Sequence, residues 1–288
     1  MIKKLVTIGI LLGLVFQLCI SCTQEQKEVK TNVKGKLFII GGGKRPSAMV
    51  DRIISESGID KNGYGIILPM SSSEPDTSAY YAKLQFTKKG LNNVHALIFT
   101  KNEVLSAAKL DSVKNAKLIY ISGGDQNKFM AIVGHTAIEK AIHQAYEDGS
   151  LIAGTSAGAA VMSKMMITGS ELKNPKYGST LRNIQADNIE IKPGLGMLNN
   201  VIIDQHFVKR SRYNRLISTV IEHPEKTGIG IDESTAILVK GTTAEVVGDS
   251  QVLVFKNPKQ SKNTYKDKLG AHNIVLNIHL PGETFTIK

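Results

Sequence analysis

An apolar run that ends in a glycine-flanked serine is the feature that most constrains this chain. Residues 151–153 are apolar and lead into Gly154, Ser156 and Gly158, which have the spacing of a G-x-S-x-G elbow. Such a turn is so crowded that the positions two before and two after the serine must lack side chains. We therefore expect a buried strand to enter the turn and a helix to leave it, with Ser156 at the carboxyl end of the strand.

On either side of this elbow, apolar runs alternate with amphipathic segments. Strands are predicted at residues 36–40, 65–68, 95–99, 117–121 and 151–153, and helices at 47–57, 78–88, 103–109 and 136–148. This spacing is typical of a mostly parallel sheet covered by helices on both faces, a three-layer α/β sandwich. Five further strands, at 236–239, 244–247, 252–255, 274–279 and 284–287, predict an antiparallel extension of the same domain.

The amino terminus has the pattern of an export signal. Lys3 and Lys4 precede the apolar residues 5–20, a run shorter than a typical transmembrane helix. Ser21 directly before Cys22 resembles the cleavage site of a bacterial lipoprotein, in which the cysteine becomes the lipidated first residue. A plain secretory signal is the alternative.

Three regions follow from this pattern. Residues 1–21 are predicted to be a lipoprotein signal peptide, and residues 22–34, which are polar and lack apolar periodicity, a tether. Residues 35–288 are predicted to form a single α/β domain. We expect this protein in the bacterial cell envelope, held to a membrane by its lipid and facing the periplasm or the outer membrane. The sequence leaves open whether the protein forms a homodimer.

The composition limits which kinds of catalytic and binding site this chain can form. The two cysteines, Cys19 and Cys22, fall in the predicted signal and lipidation site, so none is left for a disulfide, a metal site or a thiol nucleophile. A net charge of +11 favours acidic partners, but no tryptophan or basic–aromatic pattern predicts nucleic-acid binding. Residues 41–44 fail the spacing of a phosphate loop. We expect no metal or other cofactor, and the nucleophile must be an oxygen.

A serine needs a base, and His206 is the best-placed of the seven histidines. It follows Asp204 and Gln205 at the end of a β-branched run, which predicts the carboxyl end of a strand. Another apolar run ends at Asp232 and Glu233. Adjacent residues of an extended chain point to opposite faces, so only one of these acids can orient His206, and the pattern leaves open which. The order serine, histidine, acid differs from that of α/β-hydrolases.

Three arginines follow His206 within ten residues: Arg210, Arg212 and Arg215. The guanidinium fork suits bidentate recognition of carboxylates, and Arg212 and Arg215 would share one face of a helix. We predict a clamp for substrate carboxylates here. A solvated cationic helix is the alternative.

Taken together, these residues resemble the cyanophycinases, members of the serine peptidase family that also contains the aspartyl dipeptidase. The resemblance rests on four motifs, at residues 123–126, 154–159, 204–215 and 230–236, and covers the chain from about residue 36 to 255. It implies a class I glutamine amidotransferase-like fold, of the flavodoxin-like type. By position in the motifs it also implies that Ser156 is the nucleophile, His206 the base and Glu233 the acid.

Further site residues come from the same resemblance. The implied substrate-binding residues are Gln126, Asp204, Gln205, Arg210, Arg212 and Arg215. We expect the N–H groups of Ala157 and Gly124 to receive the charge that develops on the substrate oxygen. Residues 171–195 are a long polar insertion, and the sequence does not identify what it packs against.

The implied reaction is cleavage of cyanophycin, a polyaspartate with arginine on each side-chain carboxyl, to β-aspartyl-arginine dipeptides. Two alternatives stay open. One is an aspartyl or isoaspartyl dipeptidase with the same triad, and the other is a non-catalytic lipoprotein that binds polyanions.

Overall fold

Strands and helices alternate through the first half of the chain. The computed structural model describes residues 33–176 and 181–287. The first five strands are β1 (Lys36–Ile40), β2 (Gly65–Leu68), β3 (Val94–Ala96), β4 (Leu118–Ile121) and β5 (Leu151–Thr155). The helices among and after them are α1 (Ser47–Ser57), α2 (Pro75–Thr87), α3 (Ala107–Lys114), α4 (Gln126–Val133), α5 (Ala137–Glu147) and α6 (Ala157–Ala160).

The second half is richer in strands. It contains β6 (Met165–Glu171), β7 (Ile189–Pro193), β8 (Val201–Gln205), α7 (Tyr213–Glu222), β9 (Thr227–Ile231), β10 (Thr235–Lys240), β11 (Thr243–Gly248), β12 (Val252–Lys256), β13 (Asn263–Tyr265), β14 (Lys268–Gly270), β15 (Val275–His279) and β16 (Thr284–Thr286).

One large sheet organises the domain. Its strand order is β16-β11-β10-β1-β5-β4-β2-β3. The five strands β1 to β5 are parallel, and β10, β11 and β16 continue the sheet in antiparallel pairing. Ile40 pairs with Thr155, so the carboxyl ends of β1 and β5 lie side by side. A mixed α/β fold with a large, mostly parallel sheet is therefore confirmed.

Alternate side chains of the central strands enter two different cores. Leu37 and Ile39 of β1 pack in a cluster that includes residues of α4 and α5. Phe38 and Ile40 of the same strand pack in a second cluster with residues of α1 and α2. Because both faces are covered, these strands are apolar throughout rather than alternating with polar residues.

A second sheet carries the other half of the site. Its order is β15-β12-β9-β8, with β8 and β9 parallel and β12 and β15 antiparallel. Residues of α7, among them Leu216 and Val220, pack on it. Between β9 and β10 the chain crosses from this sheet to the large one through Asp232, Glu233 and Ser234. The expected antiparallel extension is thus divided between two sheets, because β12 pairs with β9 instead of β11, and β15 pairs with β12.

The polar insertion has a partner in this second layer. Its β7 pairs with β6 as an antiparallel hairpin. Leu181 and Ile189 are buried in the same cluster as Ile202 of β8 and Leu216 of α7. A small number of apolar side chains therefore attaches this polar insertion to the second sheet and α7.

Two helices differ from the sequence predictions. The helix expected at 103–109 begins at Ala107, because the Ser106 hydroxyl accepts the N–H of Lys109 as an amino-terminal cap and Val104 is 95% exposed. Helix α4 was not predicted. Its amino-terminal cap is the carboxylate of Asp125, which accepts the N–H of Asn127. Asp125 belongs to the motif at residues 123–126, which we interpreted as part of the site and not as a helix start.

The predicted signal peptide, Cys22 and the tether up to residue 32 lie outside the described residues. Within residues 33–176 and 181–287, no helix combines the length and apolar character needed to cross a bilayer.

The carboxylate of Glu56 ties α1 to the large sheet, and its removal should destabilise the domain. Burial favours the neutral acid, but hydrogen bonds from Lys36, Lys240 and Arg52, at 2.8, 2.9 and 3.0 Å, lower the pKa of Glu56 to about 2. We expect Glu56→Gln to reduce the free energy of unfolding at pH 7 by about 1–2 kcal/mol in urea titrations.

Because the folded-state pKa of Glu56 is depressed, that difference should be full above about pH 4.5 and vanish as the pH falls towards 2. Glu225→Gln, which removes an exposed carboxylate 3.7 Å from Lys226, is the matched control and should change little. A pH-independent effect of Glu56→Gln would contradict the ion-pair explanation.

Candidate active site

The serine elbow has the crowded geometry that its glycines predict. Ser156 follows β5 with φ 52° and ψ −110°, and α6 begins at the next residue. A Cβ on Gly154 would lie closer than 3.0 Å to the carbonyl oxygen of Gly158, and one on Gly158 equally close to that of Ile121. Only glycines allow strand, turn and helix to pass at these distances.

Ser156, His206 and Glu233 form one chain of hydrogen bonds. The Ser156 hydroxyl lies 2.8 Å from Nε2 of His206, and Nδ1 of His206 lies 2.6 Å from Oε1 of Glu233. A carboxylate can only accept at this second contact, so it fixes the proton on Nδ1. Nε2 is then left to accept the proton of the serine hydroxyl.

Of the two candidate acids, Glu233 contacts the histidine and Asp232 does not. The carboxylate of Asp232 accepts the N–H of Lys209 at 2.9 Å and the hydroxyl of Ser250 at 2.8 Å. Asp232 therefore fastens the turn that follows His206, while its neighbour points to the imidazole, as alternation along an extended chain requires.

Three glycines after β1, at residues 41–43, leave the space that the side chains of His206 and Glu233 occupy. Sequence reasoning missed this role. Gly42 has φ 114°, and a Cβ there would lie 2.6 Å from Nε2 of His206. A Cβ on Gly43 would lie 2.8 Å from Cβ of Glu233. The carbonyl of Gly41 accepts the N–H of His206 at 2.7 Å. Consecutive glycines after a strand that ends beside Ser156 were the available signal.

The environment of His206 favours the neutral imidazole. Burial lowers the pKa of His206, and the positive charges of Arg210 and Arg212 lower it further, whereas the hydrogen bond to Glu233 opposes them. The net pKa lies below the ordinary value of 6.5, so the imidazole is unprotonated at neutral pH and able to accept a proton.

Asp204 and Arg215, both predicted to bind substrate, instead form a buried ion pair. They are 1% and 2% exposed, and Nε of Arg215 lies 2.6 Å from Oδ2 of Asp204, with a second bond from Nη2 to Oδ1. The fork of Arg215 thus holds a carboxylate of the protein, and its burial differs from the solvated helix that was the alternative. A role of Arg215 in binding substrate stays a prediction.

Arg212 is also buried, and it contacts the residue that precedes His206. Its Nη1 donates to the backbone oxygen of Gln205 at 2.8 Å and to the side-chain oxygen of the same residue. Burial, together with the charge of Arg215, lowers the pKa of Arg212 to about 10, so it stays charged at neutral pH. Within the described ranges, Nε of Arg212 is buried without a hydrogen-bond partner.

The other predicted residues surround this network. The Gln126 amide donates to the carbonyls of Ile167 and Thr168, at 3.0 and 2.7 Å, and so fastens β6. Arg210 is exposed. Gly124, at φ 140°, packs on the carbonyl of Ser71, and Ala157 is the first residue of α6.

A cavity of about 290 Å³ opens beside Ser156, and none of the six predicted substrate-binding residues lines it. Its lining is Gly42, Gly43, Arg45, Ser78, Tyr81, Ala82, Tyr120, Ser122, Gly123, Thr155, Ser156 and His206. Arg45, Tyr81 and Tyr120 were not singled out in the sequence, because they lie on separate elements that only the fold brings together. Among the described residues, no group of three His, Cys, Asp or Glu side chains could hold a metal ion.

Comparison with known proteins decides the family. The sequence model of Peptidase family S51 matches residues 37–247. The chain belongs to this family. It is a serine-type peptidase.

Named relatives and solved structures are consistent with this family. The cyanophycinase of Nostoc sp. is 31% identical over 88% of this chain and 85% of its own length. The cyanophycinase of Synechococcus elongatus is 30% identical over 77% of this chain and 69% of its own length. A crystal structure of a peptidase from an acI-B1 actinobacterium covers 89% of this chain and 98% of its own, with 21% identity and a TM-score of 0.62. That last likeness shows the fold alone.

The close approach of Gly42 to the imidazole can be tested by a single methyl group. Gly42→Ala should displace His206 and lower kcat for peptide hydrolysis by more than about 100-fold. Gly58→Ala is the matched control, because Gly58 also has a positive φ, of 71°, but open space around its Cβ position. The control should lose about 1 kcal/mol of stability and keep its activity. Equal activity losses in both variants would refute the steric explanation.

The buried pair predicts that Asp204→Asn acts first on stability. Removing the carboxylate leaves Arg215 charged and buried, which should cost about 3–5 kcal/mol in the free energy of unfolding. Asp51→Asn, which removes a half-exposed partner of Lys89, should cost under about 1 kcal/mol. Unchanged stability of Asp204→Asn with weakened substrate binding would restore Asp204 as a direct substrate contact.

Proposed function

We propose that the protein hydrolyses cyanophycin or related β-aspartyl-arginine peptides through a Ser156–His206–Glu233 triad. The observation that supports this most is the continuous chain of contacts at 2.8 and 2.6 Å that links the three side chains. The substrate class is supported by relatives named cyanophycinase at 30–31% identity.

In the first half of the reaction, the Ser156 oxygen attacks the carbonyl carbon while Nε2 of His206 takes the hydroxyl proton. Glu233 holds the imidazole and stabilises the imidazolium that forms. The proton then passes from Nε2 to the leaving amine as the C–N bond breaks. Water, activated by the same nitrogen, hydrolyses the acyl-enzyme and releases Ser156.

The developing oxyanion is assigned to the N–H groups of Ala157 and Gly124. The N–H of Ser156 itself is engaged by the carbonyl of Ile40 at 3.0 Å, so it is not the donor. Ala157 opens a helix, where N–H groups have no partner within the helix. Gly123, next to Gly124, lies against Ser156, with its Cβ position 3.4 Å from that of the serine. This contact supports a role for the loop in binding the oxyanion.

On the substrate side, we assign carboxylate binding to Arg212 and the exposed Arg210. The unpartnered Nε of Arg212 is the donor that supports this assignment. Gln126, Asp204, Gln205 and Arg215 would act through this cluster, because their contacts hold Arg212 and β6 in place.

Incubation of the purified protein with insoluble cyanophycin tests the proposal. The wild type should release β-aspartyl-arginine, and Ser156→Ala should release none. Cleavage of short aspartyl or isoaspartyl peptides alone would favour the dipeptidase alternative. Binding to the polymer without cleavage, unchanged in Ser156→Ala, would favour a non-catalytic polyanion-binding protein.

The pH profile of kcat/KM should report the depressed pKa of His206. A base must be unprotonated, so activity should be full above the folded-state pKa and fall about tenfold per pH unit below it, with a midpoint under 6.5. Arg210→Gln removes a charge that disfavours the imidazolium, so it should move the midpoint upward. Glu233→Gln should move it downward. A midpoint above 6.5, or a midpoint that changes in neither variant, contradicts the assignment of His206 as the base.

We further propose a class I glutamine amidotransferase-like three-layer architecture, supported by the cores on both faces of the large sheet. For residues 1–34 we propose a lipoprotein signal at 1–21, lipidation of Cys22 and a tether, which together would place the enzyme in the cell envelope. Metabolic labelling with palmitate tests this. Label in the wild type and none in Cys22→Ser is expected, and label in neither would contradict it.

A further inference from the structure

The cavity beside Ser156 has a cationic wall that the proposed function does not use. We call it the Arg45 pocket, bounded by Arg45, Tyr120, Ser78, Gly43 and the catalytic pair Ser156 and His206. Arg210, Arg212 and Arg215 do not line it. The catalytic serine therefore has a second neighbourhood, built from the loop after β1, from α2 and from β4.

Arg45 is held in place but keeps most of its donors. Its Nε donates to Oε1 of Gln85 at 3.1 Å, and its Nη1 donates to the carbonyl of Gly43 at 3.0 Å. A guanidinium has five N–H donors, so these two bonds fix its plane and leave a donor edge. No carboxylate of residues 33–176 or 181–287 pairs with it, in contrast to Arg215 and Asp204. The side chain is half-buried, so a bound anion would be only partly screened by water.

An uncharged polar group of the pocket wall also lacks a partner among the described residues. The Tyr120 side chain is 1% exposed and lines the pocket, and its hydroxyl makes no hydrogen bond within residues 33–176 and 181–287. Buried polar groups are almost always hydrogen-bonded, so this hydroxyl favours a polar occupant of the pocket.

We propose that the Arg45 pocket binds the leaving half of the substrate and that Arg45 pairs with the terminal carboxylate of that half. This inference rests on the proposed peptidase function. The leaving amine receives its proton from His206, so the leaving half must lie against the imidazole, which forms part of the pocket wall. A peptide cut close to its carboxyl end carries a free carboxylate near the scissile bond. The guanidinium fork matches that group.

Arg45 is thus a specificity-determining residue, and the hydroxyl of Tyr120 is a second contact for the same half. Together they explain how a chain-end peptidase would distinguish a terminus from the interior of a polymer. An internal unit offers a neutral amide where the terminal unit offers a carboxylate.

Calorimetric binding in the Ser156→Ala background separates recognition from turnover. The probes are a soluble peptide of two β-aspartyl-arginine units and the same peptide with its terminal backbone carboxylate amidated. The free acid should bind at least about 10-fold more tightly than the amide. Arg45→Gln should weaken the acid by about 10- to 100-fold, change the amide by less than about twofold and abolish the preference.

Two further variants keep the test specific. Lys44→Gln removes the same charge from the exposed neighbouring residue and should preserve the preference. Tyr120→Phe should weaken both peptides about 2- to 10-fold without lowering the Tm, because the hydroxyl bonds to no described protein group.

The possible failures are distinguishable. Equal binding of acid and amide, equal weakening of both by Arg45→Gln, or no binding of either overturns the pocket. If wild type cleaves the peptides while the preference is absent, the pocket fails and the proposed function stands. If the Arg45-dependent preference is present while wild type cleaves neither peptide, the pocket stands and the proposed function fails.

Discussion

The site depends on how closely the loop after β1 approaches the imidazole of His206. Ser156 directly follows β5 of the large sheet, whereas His206 and Glu233 follow β8 and β9 of the second sheet. The loop at residues 41–43 is one contact between them, since Gly42 packs on the imidazole and the carbonyl of Gly41 accepts the backbone N–H of His206. A side chain at Gly42 would separate the imidazole of His206 from Ser156. Backbone packing between two sheets therefore sets the distance between Ser156 and His206 on which the proposed reaction depends.

Strained backbone conformations and a buried ion pair occur where the two sheets meet. Ser156, His206 and Ser234 all have positive φ angles, of 52°, 50° and 55°. Such conformations cost free energy in non-glycine residues and persist where the surrounding structure determines them. The ion pair of Arg215 with Asp204, which lies two residues before His206 in the chain, joins β8 to α7. It fastens the segment that precedes His206 to α7 at the expense of two desolvated charges.

Much of this arrangement can be predicted from the sequence because its signals are local. The G-x-S-x-G spacing specifies the elbow at Ser156, and the ends of apolar runs place His206 and Glu233 at strand termini. Pairing of β8 with β9 and of β9 with β12 is not local, so the sequence does not predict that the antiparallel extension divides between two sheets. Arg215 was expected to face substrate, because a sequence shows a charge but not the carboxylate that meets it. The Arg45 pocket escapes prediction for the same reason.

Covalent labelling of the serine tests the central claim most directly. Treatment with diisopropyl fluorophosphate followed by peptide mass spectrometry should find one phosphoryl adduct, on Ser156, in the wild type. The adduct should fall to background in His206→Ala, since the hydroxyl is a weak nucleophile without its base. An adduct on another serine, or equal labelling of Ser156 without His206, would contradict the account.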